Sequence, residues 1–252
     1  MTRSQHVLPI KTPRAVLFDV DFTLIYPGPT FQGQGYQAFC TSYGIDADAA
    51  LFPTAVADAS ALLQVPDDAV YDDEVYVAYT SRIIEGMGGS GDRVTACARE
   101  IYAEWAACRH FTLYEDVPEV LRALASDGIR VGLVSNSHRC LSTFQSHFAL
   151  DGLIAATISS SEHGLMKPHP SIFTAALQRL DVEPADALMV GDSIQHDVDG
   201  ALRAGMRAAL LHRDSAPHPR ERELLARGVP TIRTLRELPA MLVRERSSAL
   251  VG

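Results

Sequence analysis

The stretch AVLFDVDFTLIY, residues 15–26, decides how the rest of the chain is read. Its first half is continuously apolar, as a strand buried on both faces of a parallel sheet requires, since both side-chain directions then meet packed helices. It ends in two aspartates one residue apart, Asp19 and Asp21. Two carboxylates held at ~4 Å, in an effective dielectric of about 20, repel by about 4 kcal/mol. Such a pair at the mouth of a core calls for a cation and for a use.

Working outward, strands and helices alternate from residue 117 to the C-terminal region. VPEVLRALASDG (117–128) reads as a helix with a Gly stop and IRVGLVSN (129–136) as a buried strand. HRCLSTFQSHF, HPSIFTAALQRL, IQHDVDGALRAG and PRERELLARG have helical spacing, and LIAATISS, ALMVGD, MRAALLH and PTIRTL read as the strands between them. RELPAMLVRER (236–246) reads as a last helix. Alternation of this kind implies βαβ units and a mostly parallel sheet. Between residues 31 and 109 the pattern changes. DADAALFPTAVADASALLQV (46–65), DDEVYVAYTSRIIEGM (72–87) and GDRVTACAREIYAEWAAC (91–108) carry apolar residues at helical spacing, with acids near their starts where the helix dipole favours them. The expected fold is therefore α/β, a doubly wound and mostly parallel sheet, with an α-helical module inserted after its first strand: 1–30 and 110–252 form the core and 31–109 the insertion.

Charge follows the same division. Residues 31–110 hold twelve acids against four arginines, whereas the other residues hold 19 acids against 18 bases. The total of −9 argues against a nucleic-acid partner, because phosphate-backbone binding needs clustered Lys and Arg. No apolar run approaches the ~20 residues of a membrane span, and MTRSQHVLPIKTP has no segment suited to a secretory signal. Cys40, Cys97, Cys108 and Cys140 are scattered without zinc-ligand spacing, as free thiols of a cytoplasmic protein are.

In doubly wound sheets ligands sit outside the carboxyl ends of the strands, at a topological switch point. Asp19 and Asp21 stand at one such end, Ser135 and Asn136 at a second, Asp192 at a third, and Lys167 in the loop after a fourth strand. Lys167 is one of only two lysines, with Lys11, among 22 basic residues. Carboxylates that repel one another suit a hard divalent ion, Mg²⁺ where phosphates are handled. One Asp can stay ionised as nucleophile or ligand while its neighbour carries a proton. Lys167 and Ser135 supply a positive charge and a hydroxyl for phosphoryl oxygens. Together these groups describe phosphoryl transfer.

DVDFTL, SNS, KPHPSIF and GDSIQHD resemble, in order and spacing, the four motifs of haloacid dehalogenase-like hydrolases, over about residues 14–212. The resemblance implies a phosphatase with a helical cap formed by the insertion. Asp19 would attack phosphorus to form an aspartyl-phosphate, and Asp21 would protonate the leaving oxygen and then activate water. Mg²⁺ would be held by Asp19, Asp192 and the backbone carbonyl of Asp21, with Asp197 behind them. Thr23, Ser135, Asn136 and Lys167 would bind the substrate, a small phosphorylated metabolite. Asp21 separates this branch from dehalogenating members, and the absence of lysine between 31 and 110 separates it from phosphonate-cleaving ones. A phosphomutase and a non-catalytic phosphate-binding protein are the alternatives. The motifs leave the substrate and the oligomeric state open.

Phe22 departs from the family pattern, which most often has Gly there. Either its backbone is one a non-Gly residue accepts, or its ring crowds the entrance. GMGGSG (86–91) formally matches a dinucleotide fingerprint but follows a helical pattern, so a turn between helices is expected. His138, His163, His169 and His196 lie beside the motifs, where structural roles are the simpler expectation. Asp199 reads as a surface charge.

Overall fold

The computed structural model describes residues 10–64, 66 and 68–243. The chain runs through β1 (Ile10–Lys11), β2 (Ala15–Phe18) and β3 (Ile25–Pro27), enters four helices and returns at β4 (Phe111–Leu113). Those helices are α1 (Gly33–Ser42), α2 (Phe52–Ala59), α3 (Asp73–Gly86) and α4 (Val94–Glu104). Then come α5 (Val117–Ser126), β5 (Arg130–Ser135), α6 (Leu141–His147), β6 (Ala156–Ser159), α7 (Ser160–His163) and α8 (Pro170–Leu180). The last third holds β7 (Ala187–Gly191), α9 (Gly200–Arg203), β8 (Arg207–Leu211), α10 (Glu221–Ala226), β9 (Thr231–Ile232), α11 (Leu238–Met241) and β10 (Leu242–Val243).

Six strands form one parallel sheet in the order β6-β5-β2-β7-β8-β9, the doubly wound α/β arrangement expected. The strand that carries the opening stretch is central, flanked by β5 on one side and β7 on the other. Its alternation feeds two cores. Val16 and Phe18 pack with the apolar stripe Val117, Val120, Leu121 and Leu124 of α5, whereas Ala15 and Leu17 pack with Ile172, Phe173, Ala176 and Leu177 of α8. Both stripes recur at three- and four-residue spacing, the one-sided pattern of a helix lying on a sheet. His169 accepts the Ser171 N–H at the start of α8, and Asp181 closes the helix in a left-handed conformation.

Backbone pairing ties the inserted helices to the sheet domain both near β3 and farther out. An antiparallel ribbon pairs β3 with β4, where the chain leaves and returns. Farther out, the Tyr71 N–H donates to Gly164 O at 2.9 Å and the Met166 N–H to Ala69 O at 3.1 Å, beside the loop that carries Lys167. Gly86 lets α3 cross α2 closely, since a Cβ there would lie 2.7 Å from that of Ala55. The rest of GMGGSG forms the turn from α3 to α4, with Gly88 and Gly91 at positive φ.

Several elements differ from the sequence expectation. The helix expected over 46–65 begins as a 3₁₀ turn and restarts at Phe52, because Pro53 cannot donate to a continuing helix; Val65 lies outside the described residues. The helix expected over 236–246 ends at Met241, and Leu242–Val243 instead pairs in parallel with Ile10–Lys11. Residues 244–246 lie outside the described residues. The helix expected over 194–205 opens with a π-helical turn, Ile194–Asp199. Among the described residues no helix is long and apolar enough to cross a membrane.

Candidate active site

The carboxyl ends of β2, β5 and β7 meet at one rim, and the loop after α7 closes it. Asp19 follows β2 directly and is 7% exposed, its backbone N–H donating to Val190 O on β7 at 3.0 Å. Lys167, buried beside it, donates through Nζ to Asp19 Oδ1 at 2.5 Å and to Asp197 Oδ1 at 2.7 Å. The other oxygen of Asp197 accepts the Ser193 N–H at 3.0 Å. Only glycine fits at 191, since a Cβ there would come within 2.2 Å of the Asp197 carboxylate. Burial pushes the Asp19 carboxyl up to about 7 against the pull of Lys167, and the charges of Asp197 and Asp21 add to the rise. Burial also works against the Lys167 ammonium, but Asp19 and Asp197 outweigh it and hold its pKa above the ordinary range. Lys167 therefore stays charged.

Oxygens of Asp19, Asp192 and Asp197 all lie within 4.8 Å of one another. In an octahedral Mg²⁺ site oxygens sit at about 2.1 Å from the ion, so opposite ligands are about 4.2 Å apart, and the trio has the right size. Three carboxylates against one ammonium leave two negative charges, which one divalent ion neutralises. The donor set, oxygen throughout, suits the same ion. The sequence reading put Asp197 behind the ligands; its carboxylate lies within this span, with one oxygen engaged by Lys167 Nζ and the other by the Ser193 N–H.

Asp21 lines the same cavity but is held by a different partner. Its carboxylate takes both oxygens to Arg139 Nη1, at 3.0 and 2.9 Å, while Arg139 Nη2 donates to Trp105 O at 2.7 Å. The guanidinium lies 4.4 Å from the ring centroid of Phe111 and is 1% exposed. Arg139 had no signal in the sequence beyond standing two residues after SNS. The reading above gave Asp21 to the ion through its main-chain carbonyl, and Arg139 engages only its carboxylate.

Other expected contacts are redistributed. Ser135 lines the cavity and donates to Ser137 Oγ at 3.0 Å. Asn136 spends its side chain on the backbone of Lys167, donating to Lys167 O at 2.8 Å and accepting its N–H at 2.7 Å. It thus fixes the loop that presents the lysine. Thr23 is buried away from the cavity lining, with its hydroxyl 3.4 Å from Asp192 Oδ1. Phe22 sits at φ +63°, the left-handed region that favours glycine, and its ring is 46% exposed on the cavity wall. His163 and His169 both bond Ser171 Oγ at 2.8 Å, a structural use. His138 and His196 line the cavity, and Asp199 pairs with Arg227.

The cavity over this rim measures about 400 Å³ and is roofed by the inserted helices. A family model of haloacid dehalogenase-like hydrolases matches residues 13–205, well over half of the chain. The chain belongs to that family. The N-acylneuraminate-9-phosphatase of Rattus norvegicus is 33% identical over 165 residues, 64% of this chain and 64% of the relative. The chain thus matches just under two thirds of that relative's length. The crystal structure of a HAD phosphatase from Thermococcus onnurineus superposes with a TM-score of 0.61 at 24% identity, covering 94% of this chain and 100% of that one. The HAD-hydrolase YfnB from Bacillus subtilis, bound to magnesium, superposes with a TM-score of 0.68 at 19% identity, covering 92% and 99%. These two likenesses concern the fold.

Proposed function

We propose that this chain is a Mg²⁺-dependent phosphatase that hydrolyses a small phosphate monoester through an aspartyl-phosphate. One observation carries the reading: Asp19 is held at 2.5 Å by a buried Lys167, inside a cluster of carboxylates, with Asp21 two residues along the same loop. A binding protein has no use for a second carboxylate poised beside the first. The phosphatase relative supports the same activity.

In this reading Asp19 Oδ attacks phosphorus, the new O–P bond forms as the bond to the leaving oxygen breaks, and Asp21 gives that oxygen its proton. Asp21 then takes a proton from the water that cleaves the aspartyl-phosphate, restoring both carboxyl groups. Lys167 and Ser135 face the phosphoryl oxygens, and Arg139 fixes the side chain of Asp21. Asp19, Asp192 and the main-chain carbonyl of Asp21 would hold Mg²⁺, with Asp197 behind them, and the ion would supply positive charge to the phosphoryl group and relieve the crowded carboxylates. Residues 31–109 act as a cap over a core of 1–30 and 110–252, excluding bulk water. The partner is a small phosphorylated metabolite, and the setting cytoplasmic.

Phosphate release from a panel of monophosphates, with Mg²⁺ and with EDTA, tests the reading. We expect metal-dependent release from the wild type and a loss of at least about 10³-fold in Asp19→Asn, since the nucleophile is gone. Transfer within a sugar phosphate without free phosphate would replace it with a mutase. No turnover of any compound would leave a phosphate-binding protein.

A further inference from the structure

The cavity lining has two chemically different parts. One holds the carboxylates and Lys167. The other is aromatic: Phe22, Tyr36, Tyr76, Tyr79, Tyr102 and Trp105, six of the 24 lining residues in a chain that is 7% aromatic. Rings are therefore concentrated here well beyond their general use. Two are pinned by their hydroxyls: Tyr102 bonds Tyr71 at 2.7 Å, and Tyr76 donates to Asn136 O at 3.3 Å while stacking on Tyr102 with centroids 5.3 Å apart. Phe22 faces Trp105 at 6.5 Å, held there on a backbone conformation that disfavours it.

Charge is the second observation. The insertion carries twelve acids and four arginines, yet none of its described charged residues lines the cavity. Lys167 is the one Lys or Arg among the described lining residues, and it already serves two carboxylates. His138 lines the cavity, and burial holds its pKa below the ordinary value, so it adds no fixed cation to the lining.

We propose that the substrate's leaving group is uncharged and carries a planar unsaturated ring, as a nucleoside or an arylmethyl alcohol does. This reading rests on the phosphatase proposal above and specifies its substrate class. A second anionic group, such as the carboxylate of a sugar acid, would be taken out of water with no cation to receive it. A planar ring gains stacking from rigid aromatic walls at little entropic cost. The volume suits a small molecule rather than a polymer end. The described acids of the insertion lie outside the cavity, so they give no attraction to a cationic leaving group.

Trp105 is the chain's single tryptophan and lines the cavity, so its fluorescence reports occupancy of the aromatic part without catalysis. Thymidine and benzyl alcohol, without phosphate and in EDTA, are expected to quench it, and glycerol and gluconate are not. With Mg²⁺, thymidine 5′-monophosphate or benzyl phosphate should exceed glycerol phosphate, glucose 6-phosphate and phosphoglycolate in kcat/KM by about tenfold, the upper range for an aromatic contact. The thymidine and benzyl arms separate a nucleoside from a simple aryl source. Leu63→Arg, which puts a cation on the wall, should raise phosphoglycolate relative to benzyl phosphate. Turnover that is fastest on ring-free or doubly anionic esters, with no quenching by either ring compound, would overturn this inference. Quenching by a ring compound with no phosphate release from any ester would instead overturn the phosphatase reading on which it rests.

Discussion

Arg139 joins three parts of the molecule: the loop after β2, through Asp21; the end of α4, through Trp105 O; and β4, through the Phe111 ring. A planar fork is needed for this, since one head both grips a carboxylate and donates sideways to a carbonyl. Lysine carries its three donors on one nitrogen, so it lacks the second nitrogen that here reaches Trp105 O while the first holds Asp21. Arg139→Lys is therefore expected to lower kcat by about tenfold or more with a smaller change in KM, because the loss concerns where Asp21 points rather than how substrate binds. Unchanged kcat would remove Arg139 from any role in positioning. Arg139→Leu should also lower stability, towards the lower end of the roughly 3–5 kcal/mol for breaking a buried pair, as the Asp21 side chain is 18% exposed and keeps some water. Denaturant midpoints check that magnitude. Neither the Arg139 contact nor the strained Phe22 backbone was legible in the sequence. Asp21 and Arg139 are 118 residues apart, and no local pattern marks an arginine as buried.

Asp116, just before α5, shows how the elements are tied together. It is 3% exposed and accepts from Arg213 Nη1 and Nη2 at 3.0 and 3.1 Å, the Thr234 hydroxyl at 2.6 Å and the Leu235 N–H at 2.8 Å. Arg213 also donates to Thr23 O at 2.9 Å, carrying the restraint to the loop of the candidate nucleophile. Burial works to raise the Asp116 pKa, but the hydrogen bonds from Arg213, Thr234 and Leu235 overcome it and the net shift is downward from 3.8. The unfolded chain then binds more protons between the folded value and about 3.8. This contribution to stability is present above pH 3.8 and disappears as pH falls through the folded value. Asp116→Asn should cost about 1.5–3 kcal/mol at pH 7 and flatten the acid limb of a stability–pH curve. Parallel wild-type and mutant acid limbs would refute this. The helices that carry one apolar stripe, α5 and α8, were readable from spacing, as were the long buried strands. The break before α2 follows from Pro53, a local signal, whereas the three-residue ribbon β3–β4 and the short β10 were not readable. Their backbone pairing is decided by partners distant in sequence, and three residues carry no period to read.

Across the whole molecule, one sheet separates two apolar cores, and the inserted helices share the core on the α5 face. Closure over the rim therefore concentrates unlike groups in one cavity, carboxylates and aromatic rings. Residual negative charge in that cavity opposes folding, and an ion bound only by the folded state removes it. Mg²⁺ at a hundredfold excess over its Kd should stabilise the fold by about 2.7 kcal/mol, seen as a rise in Tm that EDTA reverses. Superposed melting curves with and without Mg²⁺ would refute a cation site at Asp19, Asp192 and the Asp21 carbonyl.

The residues alone specified the α/β alternation, the inserted helical segment and the convergence of Asp19, Asp21, Ser135, Lys167 and Asp192 on one rim. Strand ends in a parallel sheet are fixed by hydrophobic runs, and those are local. Folding in three dimensions decided which groups pair there: Lys167 with Asp19 and Asp197, Asp21 with Arg139, Asn136 with the Lys167 backbone. It also left the described acids of the insertion outside the cavity and placed Tyr36, Tyr76, Tyr79 and Tyr102 in its lining. Pairing and facing depend on contacts between segments far apart in the chain, which composition and periodicity do not encode.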